Sequence, residues 1–171
     1  MKKYPLFVTV VALCLVFDQL SKLYIVKAFA LGQVKVLISN HAYITHVRNP
    51  GAAFGLFADS AWRLPFFLSV ALVALVAILW YLRSLPAAAT WMHLALGLVF
   101  GGAIGNVIDR IRFGEVIDFI GVHWYVYHWP SFNVADSAIC VGVGIMLVCA
   151  WHEERQRLRD KKQQKNCAGQ L

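Results

Sequence analysis

The sequence predicts an all-α integral membrane protein in which four transmembrane helices form a single domain. Of its 171 residues, 60% are hydrophobic and only 15% are charged, against about 45–50% and about 25% in an ordinary soluble domain. The apolar residues fall in four long runs, each roughly as long as one bilayer crossing. These observations exclude a soluble globular chain, and we expect lipid to surround most of the molecule.

The four apolar runs give the bounds of the predicted helices. The spans cover about residues 4–28, 64–82, 91–108 and 134–151. The first run resembles a secretion signal, but two lysines and an aspartate lie between its apolar part and the only Ala-x-Ala sequence. Because a cleaved signal keeps that region small and neutral, we expect the first run to be retained as a helix.

Lysine and arginine collect on one side of the four-span arrangement, at the start of the chain, between the second and third spans, and after the fourth span. This asymmetry predicts that both termini and the basic tail, residues 152–171, are cytoplasmic. Membrane topology therefore explains the net charge of +7. We expect no nucleic-acid partner because the basic residues form no stripe on a polar domain. The four cysteines have neither disulfide-framework nor zinc-like spacing.

The polar residues of the spans gather at one predicted depth. Asp18 lies roughly 21 Å from the inner end of the first span, across a hydrocarbon layer of about 30 Å. The third span ends, and the fourth begins, with polar residues at i, i+3, i+4 spacing, which places each set on one helix face. The inner halves carry no ionisable side chain apart from cysteines. This disfavours a transmembrane ion path and favours a site at the outer membrane surface.

Two carboxyl groups close together in a low-dielectric site share one proton and can activate a water molecule between them. Asp118, in an extended-looking apolar stretch, and Asp136 are candidates for such a pair. Asp18 and Asp109 are competitors, and spacing alone does not choose among the four. Asn133 and Asp136 also fit a helix N-cap followed by an acidic residue at position N3, which would need no chemistry.

Two further polar motifs have structural as well as functional interpretations. Asp18 and Lys22 lie at i, i+4 and can form an ion pair, whereas a Ser21–Lys22 nucleophile and base is disfavoured because helix neighbours point in different directions. The Asn-Pro-Gly sequence within residues 48–55 predicts an extracytoplasmic turn, ahead of a short interfacial helix at about 54–64.

The third span carries a ridge of small residues, and these are Gly97, Gly101 and Gly105. Their spacing of four residues suits tight packing against a neighbouring helix. Such packing would fix the height and rotation of the polar residues that follow one turn later.

Five segments, taken together and in order, closely resemble bacterial lipoprotein signal peptidase, also called signal peptidase II. They are residues 18–22 (DQLSK), 49–55 (NPGAAFG), 101–110 (GGAIGNVIDR), 116–119 (VIDF) and 132–136 (FNVAD). Each motif alone is weak, but the resemblance covers nearly all of the chain. It implies an intramembrane aspartic endopeptidase that removes the signal peptide from diacylglyceryl-modified prolipoproteins, cutting immediately before the lipidated cysteine.

The resemblance also implies residue roles. Asp118 and Asp136 match the catalytic pair of the family. The residues that match its substrate-binding or supporting positions are Asp18, Lys22, Asn49, Gly51, Asn106, Arg110 and Asn133. The family fold adds a small extracytoplasmic β-cradle at about 31–50 and an interfacial helix at about 54–63. No metal or other cofactor is expected.

The same resemblance implies a place in the bacterial cytoplasmic (inner) membrane, with the active site near the outer (periplasmic) leaflet. The expected partners are the prolipoprotein substrate, membrane lipids and the cyclic peptide inhibitor globomycin, and we expect a monomer. Within the pair, the helix dipole favours ionised Asp136 and leaves the proton on Asp118. A proton-coupled carrier and a membrane scaffold are the alternatives from other classes.

Overall fold

The computed structural model describes residues 4–51 and 62–168. Within these ranges the chain forms four helices and four strands. The helices are α1 (Tyr4–Ala28), α2 (Arg63–Ser84), α3 (Thr90–Phe113) and α4 (Val134–Ala168), and the strands are β1 (Val34–Ile38), β2 (Ala42–Asn49), β3 (Val116–Trp124) and β4 (Tyr127–Phe132). Nearly all of the predicted interfacial helix at 54–63 lies outside the described residues.

Four of the described helices are long and apolar enough to cross a membrane, which confirms the prediction of four spans. Two of them continue past their predicted ends at 108 and 151. The third continues because its polar residues have partners inside the protein, and it stops at Gly114, whose N–H donates to the Arg110 carbonyl from a left-handed conformation. The fourth continues because the tail is rich in the helix formers Glu, Arg, Lys and Gln.

The strands form one antiparallel sheet in the order β1-β2-β3-β4. The β-cradle expected at 31–50 accounts for β1 and β2, but that placement is incomplete because the other two strands come from residues 116–132. In the central register Val47 pairs with Asp118 and Asn49 with Val116. The sheet therefore joins a segment before the second span to one after the third, a pairing that no local pattern reveals.

The third helix lies between the first and the fourth, and glycines allow this close approach. A Cβ atom on Gly97 would lie 2.9 Å from Val10 Cβ, and one on Gly101 would lie 2.9 Å from Cys14 Cβ. Gly105 meets Asp18 in the same way. The predicted small-residue ridge is therefore confirmed as the contact surface between α3 and α1.

A small apolar cluster fastens the sheet to the end of the first helix. Ile25 from α1 packs with Ile117 and Phe119 from β3, and all three are buried. Because side chains alternate along a strand, this contact turns the side chain of Asp118, which lies between Ile117 and Phe119, away from the cluster.

Candidate active site

Lys22 joins two of the four aspartates in a buried cluster. Its Nζ atom lies 2.9 Å from Asp18 Oδ2 and 2.8 Å from Asp109 Oδ2, and all three side chains are at most 2% exposed. The predicted Asp18–Lys22 pair is confirmed, with Asp109 as a second partner. Ser21 Oγ instead donates to the Asp18 carbonyl at 2.8 Å, which agrees with the rejection of a Ser21–Lys22 dyad.

The same two carboxylates bind backbone amides of distant segments. Asp18 Oδ1 accepts a hydrogen bond from the Ala135 N–H at 2.9 Å, in the first turn of α4. Asp109 Oδ2 accepts one from the Ile117 N–H at 3.2 Å, in β3. Gln19 Nε2 donates to both carboxylates, at 3.1 and 3.2 Å. Asp18 and Asp109 therefore fix the two segments that carry the other aspartates.

Asp118 is also buried, with 2% of its surface exposed, but its close partners are neutral. Asn49 Nδ2 donates to Asp118 Oδ2 at 2.9 Å, and Asn133 Nδ2 donates to Oδ1 at 2.8 Å. Burial raises the pKa of Asp118 to about 7, and the charge of Asp136 adds to this, against the opposing effect of the two amide hydrogen bonds and Lys22. Asp118 can thus carry a proton at pH values up to about 7.

Asp136 lies at position N3 of α4 and is half-buried. Its Oδ2 atom accepts the Asn133 backbone N–H at 3.2 Å, while Asn133 Oδ1 accepts the Asp136 N–H at 2.9 Å. This reciprocal pair is a capping box, so the N-cap interpretation is confirmed. It leaves Oδ1 of Asp136 to accept a hydrogen bond from Asn106 Nδ2 at 2.8 Å.

Two asparagines connect the buried cluster to both remaining aspartates. The Oδ1 atom of Asn106 accepts from Lys22 Nζ at 3.1 Å and from Asn133 Nδ2 at 3.2 Å. Asn133 contacts both Asp118 and Asp136, and it has no exposed surface. A continuous polar network therefore runs from the cluster to the two aspartates.

The turn that follows β2 is held by the third helix. Arg110 Nη2 donates to the Gly51 carbonyl at 3.2 Å, and its guanidinium lies 4.7 Å above the centroid of the Phe67 ring. The Gly51 N–H donates to Asn49 Oδ1 at 3.0 Å. These contacts orient the Asn49 amide, which donates to Asp118.

A cavity of about 440 Å³ opens beside this network. Asp118 and Asp136 both line it, as do four more predicted site residues, Asn49, Gly51, Asn106 and Arg110. Within the described chain, Asp18, Lys22 and Asn133 are buried behind its wall. The geometry thus distinguishes the four aspartates: two face a cavity and two bind a lysine.

Part of the cavity wall was not anticipated from the sequence. These residues are Val116, Trp129, Pro130, Ser131, Phe132, Ser137 and Cys140. The two from α4 had a signal, because Ser137 and Cys140 follow Asn133 by four and seven residues and so share its helix face. Of the four from β4, Phe132 belongs to the FNVAD segment, whereas the other three had no signal because they reach the cavity only through the pairing of β4 with β3.

Comparisons with known proteins agree with this architecture. Residues 10–152 match the family model described as signal peptidase (SPase) II. The lipoprotein signal peptidase of Geobacter sulfurreducens is 49% identical over 90% of this chain and 96% of its own length. That of Syntrophotalea carbinolica is 46% identical over 88% and 94%.

A solved structure described as a bacterial membrane enzyme is similar in fold, with a TM-score of 0.79. It is 30% identical in sequence, and the match covers 86% of this chain and 88% of that one. The family model, the curated relatives and the fold agree over nearly the same residues. The chain therefore belongs to the signal peptidase II family.

Proposed function

We propose that this chain is a bacterial membrane protease that removes signal peptides from prolipoproteins. In finer terms it is an aspartic endopeptidase that cuts immediately before the diacylglyceryl-modified cysteine. One observation carries the aspartic mechanism: Asp118 and Asp136 line one cavity and are joined through the Asn133 side chain. Among the described residues neither aspartate has a lysine or arginine within ion-pair distance.

The two carboxyl groups have different roles in this mechanism. Asp136 is the ionised member, because two N–H groups donate to it and it lies in the first turn of a helix. It removes a proton from water as the water oxygen attacks the scissile carbonyl. Asp118 is the protonated member, since burial raises its pKa to about 7, and it donates its proton to the carbonyl oxygen. Asp136 then gives the proton that it took from water to the amine nitrogen. As the C–N bond breaks, a hydroxyl group of the tetrahedral intermediate returns a proton to Asp118 and the carbonyl group forms again.

The polar network keeps this pair in place without itself reacting. Lys22 neutralises part of the charge of Asp18 and Asp109, and Asn106 links Lys22 to Asp136. Asn49 and Arg110 shape the cavity rim on the β2 side, where we propose that the substrate backbone binds. These supporting roles predict slower cleavage upon substitution, with the pair still in place.

The membrane setting follows from the spans and the charge asymmetry. We propose a multi-pass protein of the bacterial inner membrane with cytoplasmic termini and a cavity near the periplasmic leaflet, where a lipid-bearing cysteine would lie. We further expect globomycin to compete with the substrate for this cavity, and the protein to act as a monomer among membrane lipids.

Cleavage of a purified diacylglyceryl-modified prolipoprotein tests the proposal. Wild type is compared with Asp118→Asn and Asp136→Asn, and with Asp160→Asn as a matched control in the exposed part of α4. We expect the first two variants to fold and to lose cleavage, and the control to cleave normally. Thermal unfolding in detergent checks folding, and mass spectrometry of the product checks the cleavage site.

Two results would count against the proposal. If the folded Asp118 and Asp136 variants still cleave, these two residues are not the catalytic pair. Asp18 and Asp109 would then be the next candidates. A folded wild type that never cleaves the lipidated substrate would remove the peptidase function itself.

A further inference from the structure

The tip of the β3–β4 hairpin carries two histidines directly opposite one another. The strand register pairs His123 with His128, and their imidazole rings stack with centroids 5.0 Å apart and planes 4° apart. Opposite residues of antiparallel strands hold their Cβ atoms about 4.5–5.5 Å apart, so both side chains project from one face. Neither is among the described residues that line the catalytic cavity.

Hydrogen bonding at His123 leaves one ring nitrogen with a lone pair. The Nδ1 atom lies 3.1 Å from the Tyr125 carbonyl oxygen, and because a carbonyl only accepts, Nδ1 carries the hydrogen and Nε2 does not. Metal-binding histidines in proteins are oriented in this way, with the other ring N–H donated to a carbonyl. The bond closes the hairpin turn, where Tyr125 has a left-handed backbone with φ of 51°.

The pair is both accessible and held in position. His128 is exposed and His123 is half-buried, so an ion and its water ligands can approach. The His123 N–H donates to the His41 carbonyl at 2.9 Å, and the Tyr43 ring lies 5.7 Å from the His123 ring. These contacts anchor β3 against the start of β2. Because a nitrogen lone pair lies in the plane of its ring, the parallel rings do not point at one ion as they stand, and the exposed His128 ring must rotate to share an ion with His123.

We propose that His123 Nε2 and a ring nitrogen of His128 bind one late transition-metal ion, Cu²⁺ most tightly, across the hairpin. Imidazole nitrogens suit Cu²⁺, Ni²⁺ and Zn²⁺, and affinity rises to Cu²⁺ along the divalent series, whereas Mg²⁺ and Ca²⁺ require oxygen ligands. Within the described chain no group of three His, Cys, Asp or Glu side chains is placed to hold a metal. Water therefore completes the coordination.

The position of this site has a structural consequence for the cavity wall. The metal joins β3 to β4 at their free end, and β4 continues from His128 into Trp129 and the three residues that follow it along the cavity. We therefore expect the ion to slow amide hydrogen exchange in β4. This inference does not depend on the proposed function.

Titration with Cu²⁺ alone tests the proposal. The full chain is purified in detergent, freed of metal with a chelator, and titrated by calorimetry and electron paramagnetic resonance. In the wild type we expect one tightly bound Cu²⁺ ion with nitrogen couplings from two imidazoles. Because the second imidazole binds intramolecularly, we expect Cu²⁺ to bind about a hundredfold more weakly to His123→Gln and to His128→Gln. His41→Gln is the matched control, since His41 lies in the neighbouring β1–β2 turn, packs against Trp124 and has its Nδ1 atom bonded to the Ser39 carbonyl.

The pattern across variants decides the outcome. Similar losses in both single variants, with both imidazole nitrogen couplings absent from the double variant, support one shared ion. Unchanged Cu²⁺ affinity in either single variant, or nitrogen coupling from only one imidazole in the wild type, overturns the proposal. Circular dichroism checks folding, and because His128 is exposed, His128→Gln alone suffices if His123→Gln fails to fold.

Discussion

The protein holds two pairs of aspartates in one polar layer, and the pairs differ in their countercharge and in their access to a cavity. Asp18 and Asp109 share the ammonium group of Lys22 at 2.9 and 2.8 Å. Among the described residues, the groups that donate hydrogen bonds to Asp118 and Asp136 are all amides, of side chains and of the backbone. The first pair is sealed from solvent, whereas the second pair faces a cavity.

Under the proposed function, this difference separates structural charge from reactive charge. Removing one partner of a buried ion pair leaves an uncompensated charge, which makes the first pair costly to disturb. A carboxyl group with neutral partners can change its protonation state, and burial raises the pKa of Asp118 to about 7, where proton transfer is most useful. Lys22 is thus the residue that divides the four aspartates into two classes.

The largest expected effect is on catalysis. Asp118→Asn and Asp136→Asn should each lower kcat/KM for a lipidated prolipoprotein by about a thousandfold or more, with little change in Tm. Asp109→Asn should do the reverse, lowering Tm while cleavage persists. A folded Asp109→Asn protein that is as inactive as Asp118→Asn would contradict the division of the aspartates into a structural and a catalytic pair.

The largest expected effect on stability comes from Lys22→Met. It leaves two buried carboxylates without a countercharge, and we expect a loss of about 3–5 kcal/mol in the free energy of unfolding, measured by thermal unfolding in detergent. Adding Asp18→Asn and Asp109→Asn to Lys22→Met removes the excess charge and should restore part of the loss. If Lys22→Met alone is as stable as wild type, the ion cluster does not organise the fold.

Packing of α1 against α3 sets the distance across which Lys22 reaches Asp109. Gly101→Ala places a Cβ atom 2.9 Å from Cys14 Cβ, and such overpacking typically costs about 1–3 kcal/mol. Gly144→Ala is the control, because nothing lies within 4 Å of the added atom. We expect a lower Tm for the first variant and an unchanged or higher Tm for the second; the opposite order would contradict the role of the glycine ridge.

The smallest expected effect is a shift in pH dependence. In the proposed mechanism Asp118 acts in its protonated form, so cleavage by wild type should decline as pH rises through about 7. The hydrogen bond from Asn49 stabilises the carboxylate and lowers the pKa of Asp118, so Asn49→Ala should raise that pKa and move the decline to higher pH, by about one pH unit. Ser137 lines the same cavity, but its hydroxyl donates to the Asn133 carbonyl and not to Asp118. Ser137→Ala should therefore leave the midpoint unchanged.

Movement of the Asn49→Ala midpoint to lower pH would show that solvent entry outweighs the lost hydrogen bond. It would also weaken the assignment of the proton to Asp118. If the Asn49→Ala midpoint does not move, the decline at high pH is not caused by deprotonation of Asp118.

Much of this arrangement was predictable from local sequence. The spacing of Asn133 and Asp136 predicted a helix start, and the capping box confirms it. Asp18 and Lys22 predicted an ion pair one turn apart. The contribution of Asp109 to that pair was not predictable, because it depends on how α1 and α3 pack.

The sheet, too, was only partly predictable from local sequence. Residues 31–50 were expected to hold the β-cradle, yet half of the sheet comes from 116–132. That pairing places β4 along the cavity and positions Asp118 beside Asn49. Strand pairing between distant segments depends on the complete fold, so neither contact had a local signal.

The sequence by itself determined the four spans, the side of the membrane that is positively charged, and the helix faces that carry polar residues. Transfer of a segment into lipid is nearly a sum over its own residues, which makes it readable from the order of the chain. Only the tertiary structure decided which aspartates face the cavity and that Asp109 joins Asp18 at Lys22. The state of a buried carboxyl group depends on its distances to countercharge and to water, and these are set by residues far away in sequence.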